Sequence, residues 1–147
     1  MSSASDPAAV EQRINEMVQQ SRVLEAYMND VMTRQVTVTR LMEEARLASS
    51  TIQNITPEVE VESLMPMGIG VYVKTVVPPI KKLLVNLGAG VAVEKSREDA
   101  LNYVEARIKE YEVAARQLEA QRQEIAMRMD QLQSQINQMI RAAQQHG

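Results

Sequence analysis

Two glycine-flanked triplets, Gly68-Ile69-Gly70 and Gly88-Ala89-Gly90, are the residues in this sequence whose type and spacing come nearest to ligand chemistry. A Gly-x-Gly loop binds a pyrophosphate when a third glycine follows and a helix opens at once, so that free N–H groups face the phosphates. Neither condition holds here. The third glycine is missing, and the triplets lead into Val71, Tyr72, Val73 and Lys74 and into Val91, Ala92, Val93 and Glu94. Such runs, alternating apolar residues with polar or small ones, carry the period of a strand. Gly68, Gly70, Gly88 and Gly90 therefore read as the tight turns of two β-hairpins, where positive φ is needed.

No other group of residues offers a reaction. Cysteine is absent, which excludes disulfides and thiolate metal sites, and the single histidine, His146, reads as a solvated residue beside the C-terminus. The carboxylates fall on the outer positions of helical repeats, where a solvated face is the default. The expectation is no enzyme, no cofactor and no metal.

The elements that position the turns are long helices. With no Phe, no Trp and four Tyr, the chain lacks the large side chains that fill a compact core, and its apolar set is Val, Ile, Leu, Ala and ten Met. From Val10 an apolar-biased 4-3 spacing runs through Ile14, Met17, Ser21, Leu24, Met28, Val31, Gln35, Val38, Met42, Ala45 and Ser49 to Ile52. Asp6 and Pro7 supply an N-cap and a first-turn proline, and Asn54 with Pro57 closes the segment. A helix of this extent is ~70 Å long at 1.5 Å per residue. A second seam runs from Leu101 through Val104, Ile108, Tyr111, Ala115, Leu118, Arg122, Ile125, Met129, Leu132, Ile136 and Met139 to Ala143, with Ser96 as N-cap. Folded back antiparallel, with Ile52 opposite Leu101 and Val38 opposite Ala115, the two seams match in every layer. Gln35 then faces Leu118, and Arg122 lies opposite Val31 with its charge expected in water.

Between the seams helix formers thin out, and LMPMGIGVYV at 64–73 aligns with LVNLGAGVAV at 84–93 as a twofold repeat. Strands are expected near 58–64, 69–76, 82–87 and 90–95, with Pro78 and Pro79 separating the hairpins. Two hairpins cannot bury both faces of a sheet alone, so assembly with other chains is the expected remedy. The fold class is mainly α with a small β module, organised as an N-terminal coiled-coil helix (6–54), an assembly module (55–95) and a C-terminal coiled-coil helix (96–146).

Helix, tandem Gly-x-Gly hairpins and returning helix resemble the prefoldin family, specifically its α-type subunit of the archaeal kind. The most specific stretch is LVNLGAGVAVEKSREDALNYVEARI at 84–108, matched by MGIGVYV at 67–73, and the resemblance covers nearly the whole chain. Two hairpins indicate the α type, since β-type subunits carry one. The Pro78-Pro79 connection and the polar leader before Val10 depart from the family pattern. The resemblance implies a hexamer of two α-type and four β-type subunits, with a double β-barrel body and coiled-coil tentacles. It also implies ATP-independent capture of unfolded polypeptides at the tentacle tips and their transfer to a group II chaperonin.

The apolar residues near the open end of the seams, Val10, Ile14, Met17, Val18, Leu132, Ile136, Met139 and Ile140, are the candidate client-binding set. Fraying would leave their seam poorly covered there. A coiled-coil scaffold or adaptor without client-holding activity is the alternative. A net charge of −3 with both signs interspersed argues against a nucleic-acid partner. No uncharged apolar run approaches the ~20 residues that span a bilayer. Residues 1–13 lack a basic region followed by an apolar one, and a cytoplasmic location is expected.

Overall fold

A computed structural model of the protein describes residues 6–145, so that His146 lies outside the described residues. In chain order the elements are α1 (Pro7–Asn54), β1 (Val61–Gly68), β2 (Val71–Val77), β3 (Lys82–Gly88), β4 (Val91–Ser96) and α2 (Arg97–Gln145). They fall into two compact units, one comprising the chain up to Val38 and from Ala114 onward, the other Thr39–Val113.

Both helices begin where capping chemistry directs. The Asp6 side chain accepts from the Ala8 N–H at 3.1 Å and its carbonyl from the Val10 N–H at 3.0 Å, satisfying donors that the first turn leaves open. Ser96 Oγ accepts from the Asp99 N–H at 3.1 Å, and Glu98 and Asp99 complement the positive end of α2. The end of α1 is closed from outside the helix. Its last turn holds no basic residue, yet Arg97 donates Nε to the carbonyls of Ile52 (3.0 Å) and Ile55 and Nη2 to that of Gln53 (2.9 Å). One guanidinium thus ties the exit of α1 to the start of α2, an arrangement of charge-assisted bonds worth about 2 kcal/mol.

The expected seam is the line of burial. All thirteen of its positions on α1 are buried or half-buried, as are twelve of thirteen on α2, Ala143 being exposed. In the unit holding the chain termini, Gln35 Nε2 donates to Glu119 at 3.0 Å. In the unit holding the hairpins, Ser49 Oγ bonds Glu105 at 3.2 Å and Arg46 pairs with Glu112 at 3.8 Å. In each unit α1 positions that rise in number meet α2 positions that fall, so the helices are antiparallel. Ser49 bonds the neighbour of Val104 and Gln35 the neighbour of Leu118, as the matched seams require. A cysteine pair at Val38 and Ala115 is therefore expected to cross-link readily, since this register sets the two positions in one layer of the helix pair. Faster cross-linking of Val38→Cys with Arg122→Cys, one heptad along, would overturn that register.

The β segments form two separate antiparallel pairs, β1 with β2 and β3 with β4, and no ladder joins β2 to β3. Pro78 and Pro79, which cannot donate to a ladder, stand between them. The first strand differs from the expected 58–64. Glu58, Val59 and Glu60 alternate like a strand but lie outside it, and β1 instead continues through Met65, Pro66 and Met67 to Gly68. Pro66 is accommodated because a two-stranded ribbon leaves one edge of each strand unpaired; it lies opposite Tyr72, and the register shifts between Pro66 and Gly68. The same shift recurs between Asn86 and Gly88.

Candidate functional site

Two surfaces present exposed apolar groups on regular elements. The first is the hairpin pair. In each turn the two central residues both have positive φ, 51° at Ile69 and 75° at Gly70, then 51° at Ala89 and 78° at Gly90, the requirement of a type I′ connection. The residue between the glycines thus shares their left-handed geometry, which sequence reasoning assigned to the glycines alone. Ile69, a β-branched residue in that region, stands fully in solvent at 104% relative exposure.

Adjacent residues of a strand point to opposite faces, so their joint exposure shows whether a sheet is covered. Leu64 and Met65 on β1 are both exposed, as are Tyr72 and Val73 on β2. Neither face of the first hairpin is covered by the chain. On the second, Leu83 and Val85 are half-buried while Leu84 is exposed. Gly68 and Gly88 sit at the two bulges, and Asn86 Oδ1 accepts from the Gly88 N–H at 2.9 Å. Pro66 occupies the equivalent position in the first hairpin and offers no such bond.

The second surface lies at the end of the unit that holds the chain termini, and it differs from expectation. Met17 and Leu132, each 8% exposed, and Ile136, 6% exposed, form its core, with Ile14, Val18, Leu24 and Met139 packed against them. At these layers the seam is closed, because long Met, Leu and Ile side chains fill them from both helices, whereas nearer the end Val10 and Met139 are half-buried and Ala143 is exposed. Of the candidate client-binding set only Ile140 is exposed. Sequence reasoning missed Val23, Tyr27, Met32, Val36 and Met127, which stand exposed off the seam on the same unit. Their signal was available: each is an apolar residue at a position the 4-3 repeat leaves to polar groups.

A polar cluster interrupts the apolar layers. Arg122 donates Nε and Nη2 to the two Glu119 oxygens at 2.9 and 2.6 Å, while Gln35 bonds the same carboxylate across the helix pair. Arg122 keeps its side chain in contact with water, as expected, and in addition holds the partly exposed Glu119 carboxylate one turn away. Its hydrogen bonds, followed by that of Gln35, lower the Glu119 pKa from its ordinary 4.5 to about 2. A carboxylate depressed in the folded state contributes stability above its unfolded pKa and loses it as the pH falls through the folded value. The cluster is therefore fully charged at neutral pH and weakens between about pH 4.5 and about pH 2.

Among the described residues no group of three His, Asp or Glu could hold a metal ion, and no helix is long and apolar enough to cross a membrane. The prefoldin subunit family model matches residues 11–142. The chain is 38% identical over 137 residues to the prefoldin subunit alpha of Nitrosopumilus maritimus, covering 93% of this chain and 94% of that one. It is 31% identical to the prefoldin subunit alpha of Methanocorpusculum labreanum, with 92% and 97% covered. Its fold is similar to that of a filamentous prefoldin from Methanocaldococcus jannaschii solved by cryo-electron microscopy. The TM-score is 0.63 at 23% identity, over 82% of this chain and 98% of that one. With two long helices, two tandem hairpins and a family match over nearly its whole length, the chain belongs to the prefoldin family as an α-type member, in a family of chaperone subunits and not of enzymes.

Proposed function

We propose that this chain is the α-type subunit of a cytoplasmic hetero-hexamer with β-type subunits, two α and four β. The assembly captures unfolded polypeptides at its helical tips without ATP and passes them to a group II chaperonin. A first hairpin bare on both faces and a second with Leu84 exposed support assembly, since a partner's strands would cover apolar surface that the chain itself leaves in water.

The observation that favours client holding over a scaffold role is apolar surface the seam does not need. Val23, Met127 and Ile140 are exposed on a unit whose own core is already filled. A spacer gains nothing from such residues, whereas a holder of unfolded chains uses them as weak, non-directional contacts. The client-binding role of Val10, Ile14, Met17, Val18, Leu132, Ile136, Met139 and Ile140 belongs to the same proposal. Those that are buried would take part when the end of the helix pair opens.

The test is to mix the chain with β-type subunits, measure the mass of the product, and assay suppression of aggregation of a denatured protein with and without ATP. The expected result is a hexamer that protects equally in both conditions. A hexamer that gives no protection would leave the scaffold reading in place.

A further inference from the structure

Among the described residues, three grooves along the helix pair in the unit that holds the chain termini share one lining chemistry. The first is lined by Val10, Met17 and Met139 with Gln135 and Gln138, the second by Leu24 and Leu132 with Gln19, Gln20, Gln131 and again Gln135. A third repeats the chemistry with Val38 and Leu118 beside Gln117 and Gln121. Each has an apolar floor and a rim of side-chain amides. Each also includes one arginine and no carboxylate: Arg13, Arg128 and Arg34 in turn.

That charge pattern departs from the surrounding surface. Over residues 7–38 and 114–145 the chain carries seven arginines and seven carboxylates, yet of these charged groups only arginines line these three grooves. Arg34 and Arg128 pair with Asp30 and Glu124 one turn away, at 3.1 and 3.0 Å, in exposed bridges that a competing carboxylate can exchange at little cost. Among the described residues Arg13 has no carboxylate at ion-pair distance. The amides are likewise available. The side chains of Gln35, Gln53, Gln123 and Gln133 bond other side chains, whereas among the described residues Gln19, Gln20, Gln131, Gln135 and Gln138 do not.

A glutamine amide carries donors and an acceptor and does not titrate, so it matches the N–H and C=O of an extended backbone whatever the side chains are. An unfolded chain offers such backbone groups unpaired, and a folded one does not. We propose that the grooves grip an unfolded segment by its main chain through these glutamines, with its apolar side chains on the floor. The arginines bias the choice toward apolar segments flanked by Asp or Glu. This rests on the proposal that clients bind at the tips and specifies the chemistry of the grip. Gln135, common to the first two grooves, is its central residue.

Three short peptides with the same apolar centre test it on the full-length chain: one flanked by Asp, one by Lys, and the Asp-flanked sequence N-methylated at alternate residues. The Asp-flanked peptide is expected to bind about tenfold tighter than either of the others, the loss of one or two net hydrogen bonds or of a charge pair. Gln135→Leu separates the grip from simple apolarity. It enlarges the apolar floor, so purely apolar holding would tighten, whereas main-chain recognition weakens and the N-methylated peptide loses its disadvantage. Equal affinities for the three peptides, or tighter binding by Gln135→Leu, overturn the inference and leave tip binding standing. No binding of any peptide by a chain that still suppresses aggregation overturns both.

Discussion

Replacing Gly70 and Gly90 with valine is expected to abolish assembly with partner subunits while leaving nearly all of the helicity intact. At φ of 75° and 78° these residues occupy the second central position of their turns, and a Cβ built on either meets nothing within 4 Å. The effect is therefore conformational and not steric crowding. A β-branched residue held in the left-handed region costs about 1–3 kcal/mol. In the first turn Ile69 already bears such strain, so Gly70→Val would place two β-branched residues side by side with positive φ. An isolated two-stranded hairpin is marginally stable, and a penalty of that size removes the strands a partner would pair with. The helices are insulated from the loss. Their caps at Asp6 and Ser96 and the Arg97 bonds to the end of α1 do not involve the turns. Native mass and far-ultraviolet circular dichroism measured together decide the matter. An intact assembly from the double variant would mean that the helices, and not the hairpins, hold the subunits together.

How much of this was legible in the sequence depends on which interactions leave a periodic trace. The seams did, because burial along a helix recurs every three or four residues, and the half-buried line follows Val10 to Ile52 and Leu101 to Met139 as the spacing required. The turns did too, since Gly-x-Gly repeated at an offset of twenty has few physical explanations. What was lost was aperiodic. Nothing local distinguishes Arg97 from any helix-opening cation, and its task appears only once the end of α1 lies beside it. Glu119 looked like a solvated carboxylate until Gln35 and Arg122 converged on it from two helices. Alternation misled at Glu58, Val59 and Glu60, while Pro66 concealed the continuation of β1 from Met65 to Gly68, whose unpaired edge tolerates it. At the candidate client site the residue types were legible, but their burial was not. Whether Met17 and Ile136 face water or each other is a tertiary fact.

That burial sharpens the functional test into two variants with different physical meanings. Val23, Met127 and Ile140 are exposed, so changing all three to serine removes apolar surface without opening the core. Burying one such side chain in a client contributes about 1.5–3 kcal/mol before ordering costs. Losing three weakens a single tip by at least about tenfold. Because grip comes from several tips on one flexible client at high effective concentration, the deficit compounds across the assembly. Protection of a denatured test protein is expected to collapse while assembly mass and helicity stay as in the parent. Changing Ile14, Met17, Ile136 and Met139 to serine acts otherwise, since these residues form or flank the buried cluster and each large-to-small change costs about 2–5 kcal/mol where the side chain is fully packed. That variant should also lose protection with assembly mass unchanged, but with local unwinding visible as faster hydrogen exchange near Met17 and Ile136. If the exposed set alone abolishes protection, clients bind a closed helix pair; if only the seam set does, the end must open first. Undiminished protection from both variants would remove the tips from the client site and move the search to the bare faces of the hairpins.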